Sequence, residues 1–179
     1  DWSRFLETKK IMGLSRARKL YYDRKILNAR KALYDFDSEY FYDLMPQSEM
    51  WRLYGFFKDE AVFLDIETTG LSKEIDDITV FGLYDGINTK TMIKGINLDY
   101  AALKKELQKY KLIVTFNGAS FDLPFIEKVY PSLLPKIPNF DVKSVANKLD
   151  LKGGLKNIEK ILGIKRSNIV DKFYGGDAL

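Results

Sequence analysis

Two carboxylates, Asp65 and Glu67, follow the apolar run Ala61-Val62-Phe63-Leu64. This run predicts a β-strand, on which side chains alternate between faces, so both carboxylates are expected to point the same way. Two like charges about 4 Å apart repel each other by roughly 4 kcal/mol at an effective dielectric constant near 20. A cation between them would relieve this repulsion, and Mg²⁺ prefers oxygen ligands. The pair therefore predicts half of a metal site.

A third carboxylate, Asp122, begins a predicted helix just after a second buried strand, 112–116, and the turn Asn117-Gly118. Helix N-termini favour anions, by about 0.3–1 kcal/mol. If the two strands are neighbours, Asp122 lies at the same edge of the sheet as Asp65 and Glu67. The alternative is structural: a solvated strand edge for the first two acids and a helix cap for the third.

The chain contains neither cysteine nor histidine. This absence excludes disulfides, ordinary Cys/His zinc sites, a histidine general base and a Ser-His-Asp triad. Any catalysis must therefore use carboxylates, lysine, tyrosine or a bound metal ion.

The length of 179 residues and the hydrophobic content of 46% indicate one domain with at most a small appendage. No apolar run reaches about 18 residues, and no signal sequence opens the chain. We therefore expect a cytoplasmic protein without membrane partners. The chain starts at Asp1 and stops at an apolar Leu179, so we expect it to be part of a longer protein.

Positive charge is concentrated near the N-terminus. Residues 1–34 hold ten Lys/Arg against three acids, a net of +7, and the other 145 residues carry −3. We predict a helical, basic region at 1–60, in which a short turn from Met12 leads into a basic helix and a second helical stretch follows at about Ile26–Tyr34. Its candidate phosphate contacts are Arg16, Arg18 and Lys19. The alternative is a solvated helix surface.

From residue 61 the periodicity changes. The predicted strands cover 61–66, 78–84, 89–93, 112–116 and 137–142, and the predicted helices start near 97–99, 122, 142 and 155. Asp85-Gly86 predicts a hairpin between the second and third strands. The order β-β-β-α-β-α-β-α resembles the ribonuclease H-like fold. We expect an α/β domain at 61–179, a mixed five-stranded sheet with helices on both faces.

Asp65-x-Glu67 and Asn117-x3-Phe121-Asp122 resemble the first two motifs of the DEDD 3′–5′ exonucleases. Within this group the chain is most similar to YprB-like ribonuclease H-like proteins, especially archaeal ones. The stretch from Gly153-Gly154-Leu155-Lys156 to Arg166, and Trp51-Arg52-Leu53-Tyr54 before the first motif, carry that similarity over most of residues 45–179. Residues 9–34 weakly resemble a helix-hairpin-helix with Gly13-Leu14-Ser15 as its hairpin, and a plain helical cap is equally compatible.

The resemblance implies a nuclease that hydrolyses DNA or RNA from single-stranded 3′ ends, with a possible role in DNA repair. It implies two Mg²⁺ or Mn²⁺ ions about 3.5–4 Å apart. Asp65 would bridge them, Glu67 would bind the first and Asp122 the second. The implied substrate contacts are Thr68, Thr69, Gly70, Leu71, Asn117, Phe121 and Lys156. Of these, Asn117 is expected mainly to fix the turn and Phe121 mainly to pack, and a solvated helix charge is the alternative for Lys156. Asp141, expected mainly as a helix cap, is a weaker candidate.

A third family motif, Tyr-x3-Asp or His-x4-Asp, is absent after Gly163, because neither Asp171 nor Asp177 has the required partner. We expect it to lie beyond Leu179, and its loss is the alternative. Loss would favour a non-catalytic nucleic-acid-binding or scaffold domain. A third hypothesis is a haloacid-dehalogenase-type phosphatase, because Asp65-x-Glu67-x-Thr69 weakly resembles the Asp-x-Asp-x-Thr motif of that family. The glutamate at the second acidic position and the antiparallel strands that follow argue against this hypothesis.

Overall fold

The structure, a computed structural model, describes residues 2–165. Its strands are β1 (Ala61–Thr68), β2 (Ile78–Tyr84), β3 (Thr89–Ile93), β4 (Leu112–Thr115) and β5 (Asn139–Asp141). Its α-helices are α1 (Trp2–Glu7), α2 (Arg16–Tyr34), α3 (Glu39–Tyr42), α4 (Tyr54–Phe57), α5 (Tyr100–Leu107), α6 (Asp122–Val129), α7 (Val142–Lys148) and α8 (Leu155–Ile161). Short 3₁₀ helices cover Gln47–Leu53 and Lys58–Glu60. None of the helices in the described range is both long enough and apolar enough to cross a membrane.

The five strands form one mixed sheet in the order β3-β2-β1-β4-β5. The β1–β2 and β2–β3 pairs are antiparallel, and the β1–β4 and β4–β5 pairs are parallel. Helices flank the sheet, so the predicted fold class is confirmed.

The two faces of β1 are buried in different cores. Val62, Leu64 and Ile66 belong to the larger core, together with residues of α5 and α6. Ala61, on the opposite face, belongs to a second core that includes residues of α2, α4 and β4. Because side chains alternate along a strand, Asp65 and Glu67 share the face of Ala61. We call this face of the sheet the N-terminal face, since the N-terminal helices cover part of it.

The strand β1 extends further than its parallel neighbour. Its pairing with β4 ends at Phe63 opposite Val114, whereas its pairing with β2 continues to Thr68. Beyond Phe63, therefore, the edge of β1 that faces β4 has no strand partner. This gap lies beside the two acids.

The prediction of a separate helical stretch beginning at Ile26 was wrong. One continuous helix, α2, runs from Arg16 to Tyr34 behind the N-cap Ser15, whose side chain accepts a hydrogen bond from the Arg18 amide. The residues between 16 and 26 include no glycine or proline, so nothing interrupts the helical hydrogen bonds. The predicted bounds of β2 and β3 and the predicted start of α6 at Asp122 are confirmed.

A buried carboxylate, Glu106, ties α5 to β3. Its Oε1 accepts hydrogen bonds from the Lys90 Nζ at 2.5 Å and the Tyr110 hydroxyl at 2.7 Å, and its Oε2 accepts one from the Lys109 Nζ at 2.7 Å. Burial alone would raise the pKa of Glu106, but the three hydrogen bonds outweigh it and lower that pKa to about 2.

We predict that this carboxylate makes the fold acid-sensitive. The folded-state pKa lies below the ordinary value of 4.5, so the stabilisation is present above about pH 4.5 and is lost as the pH falls towards 2. Because both lysines are partly exposed, we expect Glu106→Gln to cost about 1–2 kcal/mol at pH 7. Urea unfolding of both proteins from pH 7 to pH 3 measures this; a cost that stays constant with pH would contradict it.

Candidate functional site

One hydrogen bond brings the three predicted acids to the same end of β1. The Asp122 Oδ1 accepts from the backbone N–H of Ile66 at 3.2 Å, and Ile66 lies between Asp65 and Glu67. The carboxylate occupies the unpaired edge of β1, where a longer β4 would have supplied a carbonyl oxygen. The predicted convergence of strand and helix acids is therefore present in the backbone geometry.

The turn between β4 and α6 determines where Asp122 lies. Asn117 has a φ of +68°, a conformation that asparagine tolerates better than most residues, and its carbonyl accepts from the amides of Ser120 and Phe121. The next residue, Gly118, lies so close to Thr115 that a Cβ atom would come within 2.4 Å of the Thr115 side chain. Only glycine fits there, so the tight turn depends on this Asn-Gly pair.

Asp141, the last residue of β5, holds this turn from the other side. It is 5% exposed, and its Oδ2 accepts a hydrogen bond from the Ala119 amide at 3.0 Å. Its Oδ1 accepts from the amides of Asn117 at 2.9 Å and Lys143 at 3.0 Å. The expected role as the cap of α7 is confirmed, and the contacts to the turn are an additional role that sequence reasoning missed. The signal available in the sequence was an acid ending a strand next to that of Asn117.

The three acids carry uncompensated negative charge. Asp122 is 5% exposed, and its burial together with the nearby Asp65 raises its pKa to about 6. Desolvation also raises the pKa of Asp65, although that residue is partly exposed, and desolvation and Asp65 raise the pKa of Glu67. Within residues 2–165, no lysine or arginine forms an ion pair with any of the three. Such a group favours either a proton or a bound cation.

The carboxylate oxygens of the three acids are suitable ligands for a hard cation. In the described part of the chain, however, they do not form a complete set of metal ligands. Among residues 2–165, no three acidic side chains are close enough together to form a metal cluster as they stand. Asp65 is opposite Gly82 in β2, so no side chain of that neighbour fills the space beside it. The arrangement therefore offers carboxylate oxygens at an open position, with room for a ligand and without a closed coordination shell.

The loop after β1 is fixed internally. The Thr68 hydroxyl donates to the Gly70 carbonyl at 2.6 Å, and the Thr69 hydroxyl donates to the Asp76 Oδ1 at 3.2 Å. Gly70 packs against the Asp76 carboxylate, and Leu71 is 87% exposed. Of the predicted substrate contacts in this loop, Leu71 is the side chain that projects furthest into solvent.

The remaining predicted substrate and phosphate contacts differ in how far they are exposed. Phe121 packs against Phe125, with ring centroids 5.6 Å apart, which is the packing alternative. Lys156 is half-buried on α8. Arg16 and Arg18 are exposed at the start of α2. The acids Asp171 and Asp177 lie outside the described residues.

Lys19 does not fit a phosphate contact. It is only 5% exposed, because its Nζ pairs with the Asp23 Oδ1 at 2.5 Å and lies 4.8 Å from the centre of the Phe5 ring. The sequence did not show that α1 would cover this position, since the contact depends on how two helices pack.

None of the three acids lines the cavity of about 770 Å³ found in the described part of the chain. It is bounded by residues of α3, α6 and the segment before β5, among them Tyr42, Leu123, Glu127, Leu134 and Asn139. The candidate site is therefore an open edge of the sheet and not part of this cavity.

We predict that Asp122→Asn stabilises the fold at neutral pH. The pKa of Asp122 is raised from 3.8 to about 6, so the native protein loses stability as the pH rises through this range. Asparagine has no such charge and keeps an oxygen for the Ile66 amide. We expect a gain of about 1–3 kcal/mol at pH 8 that vanishes near pH 4, measured by urea unfolding without divalent ions. A loss of stability at pH 8 would contradict the buried-charge interpretation.

We predict that Asp141→Ser destabilises the turn beyond the loss of a helix cap. Serine can still cap α7 but is too short to reach the turn, so the part-buried amides of Asn117 and Ala119 lose their acceptor, at about 1–2 kcal/mol for each amide. The matched control is Asp99→Ser, since the Asp99 side chain caps α5 through the Ala102 amide alone. Chemical denaturation should show a cost of about 2–4 kcal/mol for Asp141→Ser and under about 1 kcal/mol for the control. Equal costs would show that Asp141 is only a cap.

Several solved structures are similar to this chain. A structure described as the apo form of the nuclease superposes with a TM-score of 0.50 at 17% identity, covering 75% of this chain and 64% of that one. The EXO domain of Aedes aegypti Nibbler gives 0.51 at 9% identity, covering 71% and 70%. Brucella melitensis NrnC bound to pGG gives 0.47 at 22% identity, covering 68% and 60%. At these identities the likeness concerns the fold, and the chain spans less than two thirds of the first of these proteins.

No curated protein matches the sequence significantly. A model of the RNase H superfamily, however, matches residues 62–176. That range includes all five strands, apart from the first residue of β1, and covers more than half of the chain. The protein therefore belongs to the ribonuclease H superfamily.

Proposed function

We propose that this protein is a metal-dependent nuclease of the DEDD type, similar to YprB-like proteins, that removes nucleotides from the 3′ ends of DNA or RNA. The observation that carries the proposal is the hydrogen bond from the Ile66 amide to Asp122, because it gathers Asp65, Glu67 and Asp122 at one end of β1. Their pKa values are all raised, so the site gains free energy when a cation binds.

Asp65, Glu67 and Asp122 would hold one or two Mg²⁺ or Mn²⁺ ions. Such ions, when bound, stabilise the charge on a phosphodiester and lower the pKa of a bound water molecule. Asp65, which is exposed and central among the three, is the residue best placed to face both the ions and the scissile phosphate. Asp122 remains hydrogen-bonded to the strand, so its position is fixed before any ligand binds.

The surroundings of the acids suit a polymer. Phe63, two residues before Asp65, lies on the same face and is 38% exposed. Its ring centroid is 5.9 Å from that of Tyr84, which is 42% exposed. Exposed aromatic rings beside a phosphate site provide surfaces on which bases can stack. Leu71, and Lys156 on α8, are further proposed contacts.

A second candidate function is a nucleic-acid-binding domain without catalysis. It is favoured by the absence, among residues 2–165, of any three acidic side chains close enough together to hold a metal ion as they stand. Both candidate functions include nucleic-acid binding, but only the nuclease would hydrolyse the bound strand.

We predict that Asp65→Asn abolishes metal-dependent nucleotide release. Removing one ligand charge from the centre of the site should lower the rate at least about 100-fold, a loss typical of removing one transition-state contact. The measurement is the stepwise shortening of 5′-labelled oligonucleotides in Mg²⁺ or Mn²⁺, which follows the loss of nucleotides from the 3′ end. Asp59→Asn is the control, since Asp59 is exposed and lies before β1 in a 3₁₀ helix.

Thermal unfolding with and without Mn²⁺ separates the two candidates. A nuclease should show a rise in Tm with Mn²⁺ that Asp65→Asn loses and Asp59→Asn keeps. Activity that survives in Asp65→Asn would reject the catalytic assignment. Oligonucleotide binding with neither hydrolysis nor a Mn²⁺ effect would establish the non-catalytic candidate.

A further inference from the structure

The helix α2 carries an unusual density of exposed positive charge. It has seven lysines and arginines and a single acid, Asp23, which pairs with the buried Lys19. The other six cations are all exposed, and within the described residues none of them forms an ion pair. They are Arg16, Arg18, Arg24, Lys25, Arg30 and Lys31.

Half of these cations alternate with exposed apolar residues along one stripe. Positions 16, 20, 24, 27, 31 and 34 are separated by three or four residues, which places them on one side of the helix. The stripe reads Arg16, Leu20, Arg24, Leu27, Lys31 and Tyr34. Leu20, Leu27 and Tyr34 are 53%, 54% and 81% exposed. The helix is about 28 Å long, so the stripe is an extended surface and not a pocket.

The opposite side of α2 joins the body of the protein. Ala29, Ala32 and Leu33 pack in the second core with Phe57 and with Ala61 of β1. That core lies on the N-terminal face of the sheet, the face to which Asp65 and Glu67 also point. The stripe therefore lies on the outer surface of a helix that covers part of this face of the sheet.

We propose that the stripe on α2 docks the sugar-phosphate backbone of a nucleic acid outside the carboxylate site. Charge complementarity selects the partner, because six exposed cations without an acidic partner in the described residues attract a polyanion, whose phosphates they can neutralise. Arg16, Arg24 and Lys31 bind phosphates, while Leu20, Leu27 and Tyr34 contact sugars and bases. The choice of nucleic acid among polyanions rests on the proposed function, whereas the existence of an anionic partner does not.

The test compares two triple variants of equal charge change. The first is Arg16→Gln with Arg24→Gln and Lys31→Gln. The control replaces three exposed lysines elsewhere, Lys105 on α5, Lys128 on α6 and Lys136, with glutamine. The probes are a fluorescent 20-nucleotide single strand and its duplex, titrated in EDTA at several salt concentrations, so that neither metal nor hydrolysis contributes.

The α2 triple variant should bind at least tenfold more weakly at low salt. Each lost phosphate contact lowers the slope of log K against log salt by about 0.7–0.9, so the slope should fall by about 2 to 3 units. The control should keep the native slope. Equal losses in both variants, or an unchanged slope in the α2 variant, would overturn the proposal.

Two further measurements test other occupants of the stripe. Stronger binding of the native protein to phosphatidylserine vesicles than to either oligonucleotide would overturn the proposal in favour of a membrane surface. A dimer in sedimentation that Leu20→Ser with Leu27→Ser dissociates would overturn it in favour of a second copy. Binding with the expected slope but without nucleotide release in Mg²⁺ would keep this inference and reject the nuclease.

Discussion

The candidate site depends on one hydrogen bond, in which a side-chain carboxylate takes the place of a backbone carbonyl as the acceptor for an amide of β1. In a regular parallel sheet, the Ile66 amide of β1 would bond to a carbonyl of β4. Because β4 ends at Thr115 and the chain turns, the Asp122 carboxylate takes that position. A backbone amide in the middle of Asp65-Ile66-Glu67 thereby fixes an acid that is more than 50 residues away in sequence, which gives the site its shape.

The turn that makes this possible is supported from several directions. Gly118 allows the chain to lie against Thr115, and Asp141 accepts hydrogen bonds from two amides of the turn. The Thr115 hydroxyl in turn accepts from the Asn139 side chain, and Gln47 donates to the carbonyl and the side-chain oxygen of Asn139. The N-terminal region thus reaches the site through β5, as part of the support for the turn and not as a separate attachment.

Rigidity of this kind is needed because the proximity of the candidate acids is electrostatically unfavourable. Asp122 is buried close to Asp65, and no cation within residues 2–165 pairs with either. The fold keeps the acids together through backbone hydrogen bonds and packing, at some cost in stability. Sites that bind ligands often carry such a cost, since the interactions that would stabilise the free protein would also occupy the site.

The sequence by itself determined most of the strands and helices of the sheet domain and indicated the candidate acids. Alternation in β1, the Asp85-Gly86 turn and the start of α6 at Asp122 are local signals, set by side-chain periodicity and backbone preference. Only the tertiary structure decided that Lys19 is buried and that Asp141 holds the turn. Burial and hydrogen bonding across distant segments depend on which surfaces meet, and no local pattern contains that information.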